Sequence, residues 1–347
     1  MLNLLEGEFS NLLKKLNYES FKNKKFLITG ANGLIGSYLI DFLIYLNEKF
    51  DLNINIYAVS RNKTKLLTRF GTEKKGLILL EQDLNNALDF ELKPDFIVHA
   101  ASNAHPLVFS QDPVGTMKTN LLGTINLLDS IKNTGCKFLY ISSGEIYGNN
   151  TDHAFTEKDN GNIDSKLLRS CYPESKRAAE TLCMAYAEQY NIHVNIARLC
   201  YVYGPTITDS NSRADAQFLR NVLDGQDIVM KSEGLQKRTY CYVGDAVSAI
   251  LHILINSENK EVYNVANPNS IATVREYAQT LANVGNVKLK FEIPNAIESK
   301  GYSKQADSIL DSQKLIDTGW EPMYDLQKGL QHTFDIRRNL NESKRNS

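Results

Sequence analysis

The sequence predicts an α/β protein: a doubly wound parallel sheet followed by a smaller C-terminal α/β lobe. Three observations carry that expectation. Short apolar runs alternate with longer stretches of helical periodicity up to about residue 200, the pattern of βαβ units. Runs such as Asp95-Phe96-Ile97-Val98-His99-Ala100 are apolar without alternation, as strands covered on both faces are. The first run, Lys25-Phe26-Leu27-Ile28-Thr29, leads straight into a glycine-rich turn and an apolar helix.

In chain order, Leu5, Phe9, Leu12, Leu13 and Leu16 fall at helical spacing, so residues 1–24 read as an amphipathic helical extension laid on the domain. Acids interrupt this stretch and no basic leader precedes it, unlike a secretory signal. Strands are expected at 25–29, 54–59, 77–81, 95–100, 136–142 and 192–198, with helices at 34–46, 112–133 and 173–190 between them. Asp112 as N-cap and Pro113 in the first turn are good entry chemistry for the second helix. Past residue 200 the elements shorten. Strands at 228–231, 237–243, 262–265 and 288–292 mix with helices at 214–223, 244–255 and 273–283. The division expected is therefore a dinucleotide-binding domain over 25–200 and a lobe over 201–337 that exchanges segments with it. A polar, frayed tail is expected over 338–347.

Composition narrows the partners. A chain of 347 residues with net charge −1 offers no basic track for nucleic acid or for an anionic membrane surface, and neither is expected as a partner. No apolar run approaches the length of a transmembrane helix. Cys136, Cys171, Cys183, Cys200 and Cys241 show neither CxxC nor metal-ligand spacing, so no metal site is expected. An odd count without a framework suits a reducing, cytoplasmic setting.

The turn Gly30-Ala31-Asn32-Gly33-Leu34-Ile35-Gly36 has the Rossmann-type spacing. Its glycines serve a tight turn, close approach of backbone to phosphate, and close packing of helix on strand. The following helix N-terminus then faces a pyrophosphate with unpaired N–H groups. The second strand ends in Ser60-Arg61-Asn62-Lys63, with no acid to accept ribose hydroxyls. Arg61 and Lys63 suit the 2′-phosphate, so NADP is expected rather than NAD. Asp83, beside Leu84, reads either as an acceptor for the adenine amino group or as the cap of the next turn.

Tyr-x-x-x-Lys occurs at Tyr18/Lys22, Tyr45/Lys49, Tyr172/Lys176 and Tyr324/Lys328. Only Tyr172/Lys176 opens a long helical pattern after the series of strands, some thirty residues past Ser142-Ser143-Gly144-Glu145-Ile146-Tyr147-Gly148. A helix puts the two side chains on one face. The ammonium is expected to lower the tyrosine's pKa, and a phenolate takes the proton of an alcohol while hydride leaves its carbon. Ser143, at a strand end, is placed to hold the same oxygen. His99 and His105 lack metal spacing and read as packing residues.

These residues resemble the extended short-chain dehydrogenase/reductases that remodel nucleotide-diphosphate sugars. The resemblance runs from about Lys25 to Thr333. It includes Gly30–Gly36, His99-Ala100-Ala101-Ser102, Asn120-Leu121-Leu122-Gly123-Thr124, Tyr203-Gly204-Pro205, Arg238-Thr239-Tyr240 and Gly319-Trp320-Glu321-Pro322. The run from Arg169 to Thr181 looks most like the UDP-glucuronate decarboxylase and dTDP-glucose 4,6-dehydratase branch. The resemblance implies a triad of Ser143, Tyr172 and Lys176, and transient oxidation of a hexose at C4. It also implies cofactor contacts at Leu84, Ala100, Ala101, Ser102 and Asn120. Dehydratases of this family carry Asp-Glu after the triad Ser/Thr, decarboxylases carry Ser-Glu, and epimerases usually lack the Glu; here the pair is Gly144-Glu145. Glu145 reads as a base at the acidified C5 position or as a strand-end acid bonded to backbone.

On the substrate side, Tyr201 stands where the family has a substrate-contacting asparagine, and an arginine expected shortly before Asp311 is absent. Arg238 is retained and suits a phosphate. Arg213 and Arg220 are weaker candidates, read first as solvated helix charges. The family also implies a homodimer through helices 112–133 and 173–190. The leading expectation is a nucleotide-sugar decarboxylase or 4,6-dehydratase working through a 4-ketone. A 4-ketoreductase or C4 epimerase is the enzymatic alternative, and a non-catalytic dinucleotide-binding scaffold is the alternative from another class.

Overall fold

The computed structural model describes residues 1–72, 74–88, 92–104, 106–148, 153–293 and 306–345; His105 lies outside the described residues. The first half runs α1 (Leu2–Leu13), β1 (Lys25–Thr29), α2 (Leu34–Phe50), β2 (Asn55–Ser60), α3 (Lys63–Phe70), β3 (Leu77–Glu81), β4 (Phe96–His99), α4 (Pro106–Gln111), α5 (Pro113–Ser130), β5 (Lys137–Ser143), α6 (Cys171–Tyr190) and β6 (His193–Leu199). The second half runs β7 (Tyr201–Tyr203), α7 (Ala214–Leu223), β8 (Ile228–Met230), β9 (Lys237–Tyr242), α8 (Val243–Asn256), β10 (Val262–Val265), β11 (Ile271–Thr273), α9 (Val274–Val284), β12 (Leu289–Phe291), α10 (Gln313–Ile316) and α11 (Leu326–Arg345).

Seven strands form one parallel sheet in the order β10-β6-β5-β4-β1-β2-β3. The two-residue period of a strand divides its side chains between two cores. Phe26 and Ile28 of β1, with Leu139 and Ile141 of β5, join the core that holds α2 and α8. Leu27, Phe138 and Tyr140 point the other way, to Leu127 and Leu128 of α5 and to Ala179, Cys183 and Ala187 of α6. The chain lays β1, β2 and β3 outward in one direction and then returns to place β4 on the other side of β1. That reversal makes a crevice beyond the carboxyl ends of β1 and β4.

Local chemistry sets several element ends. Asp112 accepts from the Gly115 amide at 2.9 Å and Pro113 occupies the first turn of α5, as read from the sequence. Asp51 and Asn191 end α2 and α6 in the left-handed conformation, at φ 54° and 53°. Thr273 and Glu276 form a reciprocal capping box on α9.

The remaining strands build two small sheets, β11-β9-β7 and β12-β8. β10, from beyond residue 200, pairs in register with β6 and so belongs to the main sheet. The N-terminal extension packs as expected, with Leu5, Phe9, Leu12 and Leu16 buried. An acid completes its anchorage. The buried Glu8 carboxylate accepts from the Tyr38 hydroxyl at 2.8 Å and the Tyr242 hydroxyl at 2.7 Å, and lies 2.7 Å from His332 Nδ1. The frayed tail expected over 338–347 is not what forms. α11 continues to Arg345, because Leu330, Phe334 and Ile336 are buried in the main core and fasten the helix there. Among the described residues no helix is long and apolar enough to cross a membrane.

Candidate active site

The glycine turn lies in the crevice beside β4. Gly30 has φ +65°, and a Cβ there would stand 2.6 Å from the Ala100 carbonyl oxygen. A Cβ on Gly36 would stand 2.5 Å from the Gly30 carbonyl oxygen. Both positions therefore need hydrogen as the side chain, the first for the turn and the second for the helix to sit on it. Gly33 precedes α2 in an extended conformation and no side chain caps the helix. The first residues of α2, Leu34, Ile35 and Gly36, border a cavity of about 820 Å³ with the positive end of the helix directed to it. This cradle fits a dinucleotide pyrophosphate.

Ala100 and Ser102 border the same cavity after β4. Asn32, Arg61, Asp83, Leu84, Ala101 and Asn120 stand outside its lining and form the surrounding frame. Ser60 Oγ donates to Asn32 Oδ1 at 3.1 Å, and Arg61 Nη2 donates to Asn103 Oδ1 at 3.3 Å. Asp83 Oδ1 accepts from the Asn85 amide at 3.0 Å, the turn-capping role. Leu84 is buried against Gly123, and the Ala101 amide donates to Thr29 Oγ1 at 3.1 Å. Asn120 Nδ2 donates to Ser175 Oγ at 2.8 Å, while Asn120 Oδ1 and Ser102 Oγ are buried without a protein partner, acceptors suited to a polar ligand. A carboxylate that a reading of β2 alone misses is Glu81. It is the register partner of Ser60 and accepts from the Lys63 amide at 3.4 Å. His99 is a core residue, its Nδ1 2.7 Å from Thr29 Oγ1, and burial with nearby Lys176 holds its pKa down at about 3.

β5 delivers Ser143 to the cavity, where its hydroxyl accepts from the Glu145 amide at 3.2 Å and starts a short 3₁₀ turn, Gly144–Tyr147. α6 begins at Cys171, so Tyr172 and Lys176 lie one turn apart and both line the cavity. Tyr172 stacks on Phe109 with ring centroids 5.4 Å apart. Lys176 Nζ donates to the Ile141 carbonyl at 2.8 Å and sits 4.8 Å from the Tyr140 ring centroid. Burial lowers the Lys176 pKa to about 7, with the Glu180 carboxylate pulling the other way. The expected depression of the tyrosine's pKa is corrected here. Burial, and then the Glu145 carboxylate, push the Tyr172 hydroxyl above its ordinary value, with the Ser143 hydroxyl only partly offsetting them. A dry site penalises the phenolate before any cation can favour it.

Glu145 and its partner were only half legible. The carboxylate lines the cavity and accepts from Arg169 Nη2 at 3.2 Å. Arg169 lies three residues before Tyr172, in the short 3₁₀ turn Leu168–Ser170, and no spacing rule marks it. Phe109 is likewise a residue that sequence reasoning missed. At Gly144 the structure explains the missing side chain: a Cβ would stand 2.8 Å from Leu310 Cδ1, and Leu310 is buried.

The opposite end of the cavity brings Tyr201, Arg213 and Arg238 together. Arg213 Nε donates to Asp215 Oδ1 at 3.1 Å, an acid not anticipated as a site residue. Arg220 donates to the backbone oxygens of Asp209 and Asn211 and stands outside the lining. One cavity thus joins a dinucleotide cradle, a Ser-Tyr-Lys set with an added carboxylate, and a pair of guanidiniums.

Residues 26–266 match the model of the NAD dependent epimerase/dehydratase family. The chain belongs to this family. It is an enzyme of the extended short-chain dehydrogenase/reductase type, and the glycine turn, Ser143 and Tyr172/Lys176 all fall within the matched span. UDP-glucuronic acid decarboxylase 6 of Arabidopsis thaliana is 33% identical over 308 residues, 89% of this chain and 87% of the relative. Among solved structures, UDP-glucose 4-epimerase from Thermotoga maritima, bound to UDP-glucose, superposes with a TM-score of 0.77 at 25% identity, covering 91% of this chain and 99% of that one. A dTDP-glucose 4,6-dehydratase from Bacillus anthracis, in complex with NAD, shares the fold with a TM-score of 0.76 at 21% identity, over 92% and 98% of the two chains.

Proposed function

We infer that this family member modifies a nucleotide-diphosphate sugar through a transient 4-ketone, in a reaction of the decarboxylase or 4,6-dehydratase type. The observation that carries the reading is Glu145, a carboxylate in the same cavity wall as Ser143 and close enough to Tyr172 to raise its pKa. The bound dinucleotide supplies the hydride acceptor and donor. The chain handles the protons. Tyr172 takes the C4 hydroxyl proton once its own has passed to solvent, Ser143 holds that oxygen, and Lys176 supplies the positive charge that favours the phenolate. Glu145 takes or returns the proton at C5, where the adjacent ketone stabilises the carbanion.

Gly144 and Leu310 favour loss of carbon dioxide over loss of water. A departing hydroxide needs a proton donor at C6, and residue 144 has no side chain to provide one, with Leu310 packed over the place. A 4-keto uronate is a β-keto acid. Its C5–C6 bond breaks to release carbon dioxide and leave an enolate, which is protonated at C5 by a proton that Glu145 relays from water. Arg61 favours a second reading, an NADPH-dependent 4-ketoreductase or C4 epimerase, neither of which needs a base at C5.

Glu145→Gln separates these readings. The substitution is expected to leave C4 oxidation intact and slow the later step by about 10²–10⁴-fold, the range for loss of an acid–base group. Reduced nicotinamide absorbance and a keto sugar then accumulate. Wild-type turnover of a nucleotide uronate in deuterated water is expected to release carbon dioxide and leave deuterium at C5. Unchanged turnover in the Gln variant, with no deuterium at C5, assigns the chain to the reductase or epimerase reading.

The cofactor we propose is NADP rather than NAD, because Arg61 follows β2 on an exposed surface. Arg61→Ala is expected to weaken NADP by about 1–3 kcal/mol, the value of one hydrogen bond to a charged group, and to leave NAD nearly unchanged. Fluorescence titration of both dinucleotides against both proteins checks this. A wild-type preference for NAD would instead point to Glu81 as the ribose acceptor.

A homodimer fits the exposed apolar side chains Val114, Met117 and Leu122 on α5, which packs beside α6. Light scattering is expected to give twice the chain mass. All five cysteines are free thiols, four of them buried, which supports a reducing, cytoplasmic setting.

A further inference from the structure

Tyr201 occupies an unusual position among the residues at the far end of the cavity. Arg238, on β9, has its guanidinium carbon 4.2 Å from the centroid of the Tyr201 ring, and Arg213, just ahead of α7, has its own 5.4 Å from the same centroid. The two arginines come from separate elements, and both line the cavity with Tyr201. Two guanidiniums gathered at one ring repel each other, and the ring's electron-rich faces offset that repulsion where water is partly excluded. Burial raises the Tyr201 pKa, and Arg238 is the first group to oppose that rise.

The ring is itself held in place. Tyr201 pairs in register with Tyr240 across β7 and β9, their ring centroids 6.1 Å apart. Tyr240 in turn lies 4.6 Å from the Tyr277 ring of α9. Arg213 is braced from its other side by Asp215, at 3.1 Å through Nε and 3.0 Å through Nη2. So a chain of aromatic rings running back into the lobe fixes the surface on which both guanidiniums rest.

We propose that Tyr201 is a positioning residue for nucleotide-diphosphate binding, acting through its ring rather than its hydroxyl. It sets Arg213 and Arg238 at one spacing, so that a diphosphate meets a preformed pair of cations and little ordering cost remains at binding. Substrate affinity therefore depends on the aromatic face at this position, and the reacting centre at Tyr172 does not. This rests on the reading that the cavity takes a nucleotide-diphosphate sugar.

The test uses the full chain with saturating NADP, and UDP and dTDP as probes in calorimetric titrations. Tyr201→Leu is expected to weaken the better-bound diphosphate by about tenfold, the scale of two partly buried cation–π contacts. Tyr201→Phe keeps the ring and is expected to bind within about twofold of wild type. In turnover the Leu variant is expected to raise KM and leave kcat near wild type, with a melting temperature matching that of the Phe variant. Equal affinity in wild type and the Leu variant overturns the proposal. So does a loss in the Phe variant as large as in Leu, which would assign the effect to the hydroxyl. Failure of wild type to bind either diphosphate would overturn the nucleotide-sugar reading itself, and this inference with it.

Discussion

Tyr172→Phe is expected to leave a folded protein whose turnover is lower by about 10²–10⁴-fold, the contribution of a positioned proton acceptor. The substitution keeps the ring stacked on Phe109 and removes only the hydroxyl. In the cavity that hydroxyl is held above its ordinary pKa by burial and by Glu145, so no phenolate stands ready in the free chain. The phenol must therefore give up its own proton before it can accept the alcohol's. The pH profile of kcat/KM, which reports the free enzyme, should accordingly keep rising above neutrality and lack the plateau there that a depressed tyrosine would give. The matching pairs elsewhere serve as controls. Lys49 Nζ donates to the Tyr45 hydroxyl at 2.8 Å where α2 packs on α1, and Lys328 sits 4.7 Å from the Tyr324 ring. Phe at either position is expected to leave turnover near wild type. A Tyr172→Phe protein with near-normal activity under saturating cofactor would remove Tyr172 from the mechanism.

Lys176→Met is expected to raise stability while it lowers turnover by at least about 10²-fold. Burial holds the ammonium's pKa near 7 in the folded chain against 10.5 unfolded. Between those values the unfolded chain binds a proton that the folded chain does not, so this residue makes stability rise with pH from about 7 to 10.5 and leaves it flat below 7. The burden on the fold is therefore greatest at and below neutrality. Replacing the ammonium with a methyl thioether relieves it, less the hydrogen bond to Ile141, for a net gain of about 2–4 kcal/mol at pH 7. The gain should shrink toward zero above pH 10. Denaturant melts of both proteins from pH 6 to about 10 read the slope directly. A Met variant less stable than wild type at neutral pH would show that Lys176 is a structural strut rather than a stored functional charge.

Much of the site was legible because its signals are local. The glycine turn announces itself through backbone demands that only hydrogen side chains meet, and Gly30 and Gly36 meet them as expected. Asp112-Pro113 declares a helix start in adjacent residues, and the start is there. Tyr172 and Lys176 share a helix face because of their spacing, whatever the rest of the fold does.

Other features had no local signature. β7 and β11 are three residues long, too short for an alternation to register, and exist because β9 lies between them. α11 carries few apolar residues along a polar stretch. Its helical state comes from the core that receives Leu330 and Phe334, and so the sequence suggested a frayed end instead. Glu8 reads as an acid spoiling an apolar face until Tyr38, Tyr242 and His332 converge on it.

The class of fold, the place of most strands along the chain and the shared helix face of Tyr172 and Lys176 follow from residue type and spacing, which act over one turn or one strand. The sequence by itself determined those. Protonation, neighbours and shape were decided by the tertiary structure. Whether Tyr172 is pushed up or down depends on how dry its surroundings are and on a carboxylate that a different element brings beside it. Whether Gly144 has room for a side chain depends on Leu310, far along the chain. Arg169 against Glu145, and two arginines against Tyr201, are likewise contacts between separate elements. Electrostatic energy and packing fall off with distance in space, and sequence spacing reports that distance only within a single element.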